Sequence, residues 1–552
     1  MQGDPDRDMR SGFSKKNKIY YSKHKPQSIP DEPYLDLVTY ALSPKHPTAE
    51  IALIDSSTKE QISFQQLPTK IRRVAVGLHR LGIRQGDVVC IISPNSIHFP
   101  VIFLAILSLG AVATTTNPLN TAAEIIKQVK DSKARLAFTI SELKEKVKGT
   151  GLPMVFIAQT PEEDHIFASE EGHTIAFAEL IEDHSWELPA VKIRQEDTAA
   201  LLYSSGTTGV SKGVIITHRN LISMIILLIR FVLAEAGTNG WELVYLAVLP
   251  MFHVYGLSVF SSGLIAAGAT CVIMSKFGFE EMLKAVERFK ITNLPVVPPI
   301  ILGFTNSDLV EKYDLSSLKY MSSGAAPLGK EVIQAFATRF PQIELIQGYG
   351  MTESTGAAAV TTKESSKKYG SAGLLSPNME AKVVDVDTAH PLPPNHQGEL
   401  WLRGPLVMKG YFSNEEATLL TIDKEGWLHT GDLCYFDDDG SLYIVDRLKE
   451  LIKYNAFQVA PAELEALLLS HPDILDAAVV PFPDEEAGQI PLAYVVRKSR
   501  SNLGEQDVMS FVAAQVAPYK KVRKVAMVNG IPRSAAGKIL RKELAVLATS
   551  KL

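Results

Sequence analysis

From Ile51 onward, apolar helical stretches such as 67–81 alternate with short β-rich runs such as Val88–Ile92. A parallel strand pair needs a long crossover, usually a helix, so this alternation predicts stacked βαβ units. The same style returns mid-chain, where 197–203 and 213–217 read as strands and Thr217 stands where it can cap a helix entered at His218. After about Asn378 short β patterns take over, at 380–385, 398–403 and 442–446. Past Lys449 mixed α/β returns, with Pro461 opening a helix over 462–469 and a strand at 477–480. The expected fold is α/β: a large N-terminal domain, 1–447, of stacked βαβ subdomains with a small β-barrel-like subdomain at about 380–446. A small α+β C-terminal domain follows, at 448–552.

The bulk numbers exclude several function classes. A net charge of −5, from 56 basic and 61 acidic residues, offers no basic field for nucleic acid or anionic membrane. Cys90, Cys271 and Cys434 are too far apart for a CxxC metal pair or a disulfide framework and read as buried thiols in a reducing compartment. The longest uncharged stretch, 243–275, is interrupted by Pro250, His253 and several glycines, so a buried α/β core is expected there rather than a membrane span. The first residues mix lysines with Asp4, Asp6 and Asp8 and lack an apolar segment, unlike a secretory signal. The chain ends in Ser550, Lys551 and Leu552, the tripeptide that peroxisomal import receptors read, and the expectation is therefore a peroxisomal protein with that receptor as a partner.

The densest chemistry lies in 203–213, Tyr-Ser-Ser-Gly-Thr-Thr-Gly-Val-Ser-Lys-Gly. Gly206 and Gly209 permit positive φ and close approach, so backbone N–H groups and the hydroxyls of Ser204, Ser205, Thr207 and Thr208 can face phosphate oxygens while Lys212 supplies charge. This is no Walker A loop, since Lys212 follows a serine and the loop runs into another β-like segment instead of opening a helix. A flexible Gly/Ser/Thr hairpin is the competing reading of any short pattern of this kind.

The loop resembles the signature of the acyl-adenylate-forming enzymes, which include acyl-CoA ligases, luciferases and peptide-synthetase adenylation domains. Further stretches match in order: Gln347-Gly-Tyr-Gly-Met-Thr-Glu353, Gly398-Glu-Leu-Trp-Leu-Arg-Gly404, Thr430-Gly-Asp432, Asp446-Arg-Leu-Lys-Glu450 and Pro532-Arg-Ser-Ala-Ala-Gly-Lys538. Within that family the chain looks most like plant 4-coumarate:CoA ligases and their peroxisomal relatives, notably in Pro250-Met-Phe-His-Val-Tyr255 and Ser323-Gly-Ala-Ala-Pro-Leu328. The resemblance implies an ATP-dependent carboxylic acid:CoA ligase. The acid, aromatic and cinnamate-like or fatty, first becomes an acyl-adenylate with release of pyrophosphate and then passes to coenzyme A.

The resemblance also assigns roles. It gives Glu353 to magnesium and Thr352 to phosphate, a hard carboxylate and a hydroxyl suited to magnesium on a triphosphate. Asp432 would accept from the ribose hydroxyls with Arg447 assisting, although an ordinary turn aspartate is the bland alternative. Tyr349 offers a ring for adenine to stack on, with Gly324, Ala325 and Ala326 small enough to admit it, and Gln347, Gly348, Gly350 and Met351 complete the nucleotide-binding set. Lys538 resembles the adenylation lysine. The small domain is then expected to be mobile, rotating about Lys449 for the second step, in which Lys453 and Gln458 match positions assigned to catalysis. His253, Tyr255, Ser322, Gly324 and Gly348 would line the acid pocket, His253 counting among the catalytic candidates.

Three departures stand out. Val210 and Ser211 replace the Leu-Pro usual in the plant loops. Asn455 and Ala456 replace a lysine and a glycine beside the incoming CoA, removing a cation and adding a methyl. Ser322 stands where hydroxycinnamate ligases carry lysine, which leaves room for another aromatic or a fatty acid. Two rival readings remain: a luciferase-like oxygenase acting on its adenylate, and an acyl or nucleotide binder that has lost thiolation.

Overall fold

The computed structural model describes residues 6–43, 49–158, 174–182, 187–204, 211–236, 243–326, 328–362, 365–455, 457–484, 486–499, 501–535 and 537–551. The chain alternates strand and helix as its periodicity predicts. One sheet carries Val88–Ile92 between parallel neighbours Val112–Thr115 and Ala134–Thr139. Thr198–Ser204 joins it in parallel, and Lys212–Thr217 turns back antiparallel with Lys212 opposite Ser204.

Helix α1 (His218–Ala236) follows at once. The Thr217 hydroxyl accepts the Asn220 N–H at 3.1 Å, the cap expected from sequence. The segment 243–275 folds into buried short elements: strand β1 (Val244–Ala247), helix α2 (Val254–Ser258) and strand Thr270–Ile273. A Cβ on Gly256 would lie 2.1 Å from the Pro250 carbonyl oxygen, so only glycine lets this tight turn close. Among the described residues no helix is long and apolar enough to cross a membrane. The three cysteines are free and buried.

The second sheet has a parallel half in which Thr270–Ile273, β1, β2 (Asn293–Val296), β3 (Tyr320–Ser323) and β4 (Glu344–Met351) lie side by side. Beyond β4 the pairing becomes antiparallel and runs on through the β-rich stretch, including Ser441–Arg447, Leu428–Phe436, Gly398–Arg403 and Glu380–Val384. The amino-terminal residues belong to this region too. Tyr20–Tyr21 pairs antiparallel with residues 380–381, the Tyr20 ring stacks on Phe436 at 4.3 Å, and Phe13 is buried beside it.

A third sheet holds Ile452–Tyr454, Phe457–Val459, Ile474–Asp484, Gly488–Arg497 and Lys524–Met527. It packs with helix α3 (Pro461–Leu469) around its own core of Ile452, Val459, Leu464, Leu468, Val479 and Val495. Helix α4 (Arg541–Lys551) ends the described chain.

Candidate active site

Parallel strands leave their ligand crevice at their carboxyl ends. Here the ends of β3 and β4 open onto a cavity of about 1220 Å³ whose walls include Gly324, Ala325, Gly348, Tyr349, Gly350, Met351 and Thr352. Close approach of the backbones requires Gly350, where a Cβ would fall 1.8 Å from the Gly356 carbonyl oxygen. Ser205, Gly206, Thr207, Thr208 and Gly209 lie outside the described residues.

The loop's two ends, Ser204 and Lys212, frame a polar corner. The Ser204 hydroxyl donates to Glu353 Oε1 at 2.7 Å, and the Tyr411 hydroxyl donates to the same oxygen at 3.0 Å. Lys212 Nζ sits 4.8 Å from the Tyr411 ring centroid. Glu353 is thus a buried carboxylate hydrogen-bonded to neutral hydroxyls, with the Arg447 charge near enough to act on it, and a metal cation would relieve the remaining cost of its burial. Among the described residues no three His, Cys, Asp or Glu side chains gather as a metal cage, whereas one carboxylate with hydroxyls and substrate phosphates is the usual Mg²⁺ arrangement. The backbone here is strained: Thr355, β-branched, takes φ 54°, held by its hydroxyl on the Leu406 carbonyl at 2.7 Å.

Behind the cavity wall, Asp432 on Leu428–Phe436 pairs with Arg447 on the neighbouring strand, Oδ1 to Nε 3.1 Å, the two standing opposite in register; Arg447 lines the cavity and Asp432, buried beside it, is not among the wall residues. Tyr349 directs its hydroxyl at Asp432 Oδ2, 2.6 Å away. Burial raises the Asp432 pKa, and Arg447 and the Tyr349 hydroxyl oppose that rise.

Lys538 enters this same cavity from the small domain. The loop carrying it is a tight turn in which the Ser534 N–H donates to the Lys538 carbonyl at 2.8 Å, with Gly537 at φ 77°. A Cβ on Gly537 would lie 2.9 Å from Val297, so the glycine lets the loop press against the large domain. Burial, then the nearby Arg447, pull the Lys538 pKa down to about 8. His253 faces it: burial, then the Lys538 charge, push the imidazole down to about 4. Its Nδ1 accepts the Tyr255 N–H at 3.4 Å, so the neutral ring carries its proton on Nε2.

The cavity continues between the parallel sheet and α1. Met224, Leu227, Leu228 and Phe231 stand at i, i+3, i+4 and i+7 on one helix face. The facing sheet contributes rows set by register: Gly324 and Gly348 at the mouth, then Pro295, Ser322 and Ile346, then Tyr245, Asn293 and Tyr320 at the floor. At about 3.3 Å per residue, the four steps from Gly324 to Tyr320 make a tunnel roughly 13 Å deep. The Tyr255 and Ser322 hydroxyls lie 3.1 Å apart along its wall, and the buried Asn293 amide donates to the Tyr245 hydroxyl at 3.1 Å across its floor.

Several candidates lie elsewhere. Gln347 turns into the core, donating to the Ser371 carbonyl at 3.3 Å, and Ala326 is not among the wall residues. Lys453 and Gln458 stand exposed, opposite each other on the hairpin 452–459, outside the cavity. Asn455 at the hairpin's tip takes φ 50°, which asparagine tolerates, and Ala456 lies outside the described residues. Lys449 lines the cavity, its pKa lowered by burial and then by Arg447. Sequence reasoning missed Tyr411, which joins Lys212 to Glu353, and the α1 wall, whose apolar spacing was legible but is equally that of a core helix.

Comparison with known proteins agrees along the chain. The model for the AMP-binding enzyme family matches 42–412, and that for the AMP-binding enzyme C-terminal domain matches 463–538. Probable CoA ligase CCL5 of Humulus lupulus is 53% identical over 552 residues, covering 99% of this chain and 98% of its own. Peroxisomal OPC-8:0-CoA ligase 1 of Arabidopsis thaliana is 51% identical over 547 residues, covering 98% of each. The crystal structure of the anthranilate CoA ligase AuaEII in complex with anthranoyl-AMP is similar with a TM-score of 0.83 and 25% identity, covering 95% of this chain and 99% of that one.

Proposed function

The chain belongs to the AMP-binding enzyme family, and from that premise we propose how its site works and what kind of acid it takes. It is an AMP-forming acid:CoA ligase working through an acyl-adenylate. A carboxylate attacking the α-phosphate of ATP must approach another anion while pyrophosphate departs, so positive charge has to be positioned at the reacting centre. Lys538, which the small domain inserts beside Arg447 and His253, is the group for that task; its lowered pKa still leaves it mainly protonated at neutral pH. Asp432 would hold the ribose, accepting from the sugar hydroxyls while Arg447, paired with its Oδ1, opposes the rise in pKa that burial causes. Lys212 and the Ser204 hydroxyl would meet the outer phosphates. Glu353 and Thr352 would hold Mg²⁺, whose charge neutralises the triphosphate. His253, neutral and with its proton on Nε2, can donate to the acid's oxygen without adding charge.

The tunnel carries the substrate reading. Its depth, its α1 wall of Met, Leu and Phe, and its Asn293–Tyr245 floor fit an elongated acid with an apolar body and an oxygen function at its far end, a fatty or aryl-chain acid rather than a compact benzoate. Ser322 in the middle row is a neutral hydroxyl engaged with Tyr255, which gives a cinnamate's ring no cation. The test is a panel of cinnamic, benzoic, plain fatty and ω-oxygenated fatty acids, with pyrophosphate release and CoA-thiol loss followed separately. The expected result is equal yields of both and highest kcat/KM for the ω-oxygenated chains, lost selectively in Asn293→Leu. Highest kcat/KM with benzoates would overturn the tunnel reading.

That Lys453 and Gln458 lie outside the cavity while Lys538 lies within it supports the reading, implied by the resemblance, that the small domain turns about Lys449 for the CoA step. The terminal Ser550-Lys551-Leu552 and the peroxisomal designation of a relative 51% identical support import into peroxisomes by that tripeptide's receptor. An amino-terminal fluorescent fusion should enter them, and deleting the last three residues should leave it in the cytosol.

A further inference from the structure

We propose that Asp446, on the large domain's last strand, is a positioning residue that holds the small domain in the orientation placing Lys538 in the cavity, by capping helix α3 across the domain junction. The inference rests on the reading that the two half-reactions use two orientations of the small domain.

Helix α3 begins with a deficit. Pro461 at its first position has no N–H, and Ala460 at the N-cap offers no side-chain acceptor, so the first orphan donor is the Ala462 N–H. Asp446 Oδ2 accepts that N–H at 2.9 Å, while its Oδ1 takes the Arg447 N–H at 2.7 Å. Asp446 is 6% exposed, so this bond is shielded from water, and a carboxylate at a helix N-terminus also gains from the helix dipole. Beside the cap, a Cβ on Gly329 of the large domain would touch the Ala466 methyl at 3.6 Å, so α3 is seated closely here.

Position along the chain makes the bond specific to one orientation. Asp446 lies within Ser441–Arg447, fixed in the large sheet, three residues before Lys449, whereas Ala462 lies thirteen residues after it. A turn about Lys449 therefore carries the donor away and leaves the acceptor. The charged groups around Asp446 are Arg541 from α4, Glu465 from α3 and its neighbour Arg447. Burial raises Asp446 to about 6, against the pull of the two N–H bonds and Arg541, so at neutral pH it stays an ionised acceptor. Arg541 is occupied within the small domain by Glu450 and Glu465, which leaves the cap to Asp446.

The test measures the half-reactions apart in the full-length protein: pyrophosphate release from ATP and acid without CoA, and thioester formation from supplied acyl-adenylate and CoA. Asp446→Ala should slow the first about tenfold, a charge-assisted hydrogen bond's share, and leave the second unchanged or faster. Asp446→Asn, whose amide oxygen still accepts from Ala462, should restore most of the first rate. It carries the test alone if the alanine variant fails to fold, a few-fold loss confined to pyrophosphate release being the expected result. Equal losses in both half-reactions, or none in either, would overturn the proposal. Failure of the wild-type protein to form thioester from supplied adenylate would instead break the two-orientation reading.

Discussion

The proposed nucleotide end of the cavity and the proposed acyl tunnel are parts of one space, yet they are built in opposite ways. At the proposed nucleotide end, Ser204, Lys212, Glu353, Asp432 and Lys538 come from strand ends and turns, and each charged group has a specific neighbour: hydroxyls at Glu353, the Tyr411 ring at Lys212, Arg447 and the Tyr349 hydroxyl at Asp432, and nearby charges at Lys538. The tunnel is made from the interiors of elements: one face of α1 and the rows of β1 to β4. On the proposed reading, polar geometry would fix the chemistry at one end and shape the choice of substrate at the other. Changes at the first end should therefore strike every acid alike, and changes at the second should sort acids while sparing ATP.

The sharpest break of that division is Lys538→Ala. Pyrophosphate release should fall by about 10²- to 10³-fold for every acid, with ATP affinity kept within a few fold. Unchanged release would remove Lys538 from the reaction. Asp432→Asn weakens the charge-assisted hold on the ribose, and ATP binding measured by calorimetry should drop roughly 10- to 100-fold while the rank order of acids stays the same. At the other end, Gly324→Val places carbon about 3.3 Å from the Tyr255 ring, at the tunnel mouth. Bulky acids should lose about tenfold in kcat/KM relative to slender ones, with the KM for ATP unmoved. The mildest effect is on pH. Lys538 is held near 8, below its ordinary value, and in its proposed role acts only when protonated, so kcat/KM for ATP should fall as pH rises through about 8. Lys538→Arg keeps its charge at any such pH and should move that limb upward.

The same contrast explains what could be read from the sequence. Glycine, hydroxyl and charge at fixed spacing have few structural uses, so the nucleotide motifs were visible as Gly350, Glu353 and Asp432. The alternation of 67–81 with Val88–Ile92 likewise gave the stacked βαβ pattern before any coordinate. Met224, Leu227, Leu228 and Phe231 carry no such mark, because an apolar stripe looks the same against a core and against a substrate. Asn293 and Tyr245 could not be paired from sequence, since the parallel register that joins them spans 48 residues. Tyr411 was missed because its contact with Glu353 joins a strand of the first sheet to the short turn 352–354, across 58 residues of sequence. Lys453 and Gln458 could be found by resemblance, but that they stand exposed on a hairpin outside the cavity could not.

The seat of Tyr20 against Phe436 has a consequence in time. The strand at 20–21 emerges from the ribosome roughly 360 residues before its partner at 380–381. At about 5–20 residues per second, Phe13 and Tyr20 wait some 20 to 70 s with their apolar faces in water or on a chaperone. A segment made early is therefore among the last to find its place in the fold, since its seat does not exist until residues 380–381 have been made.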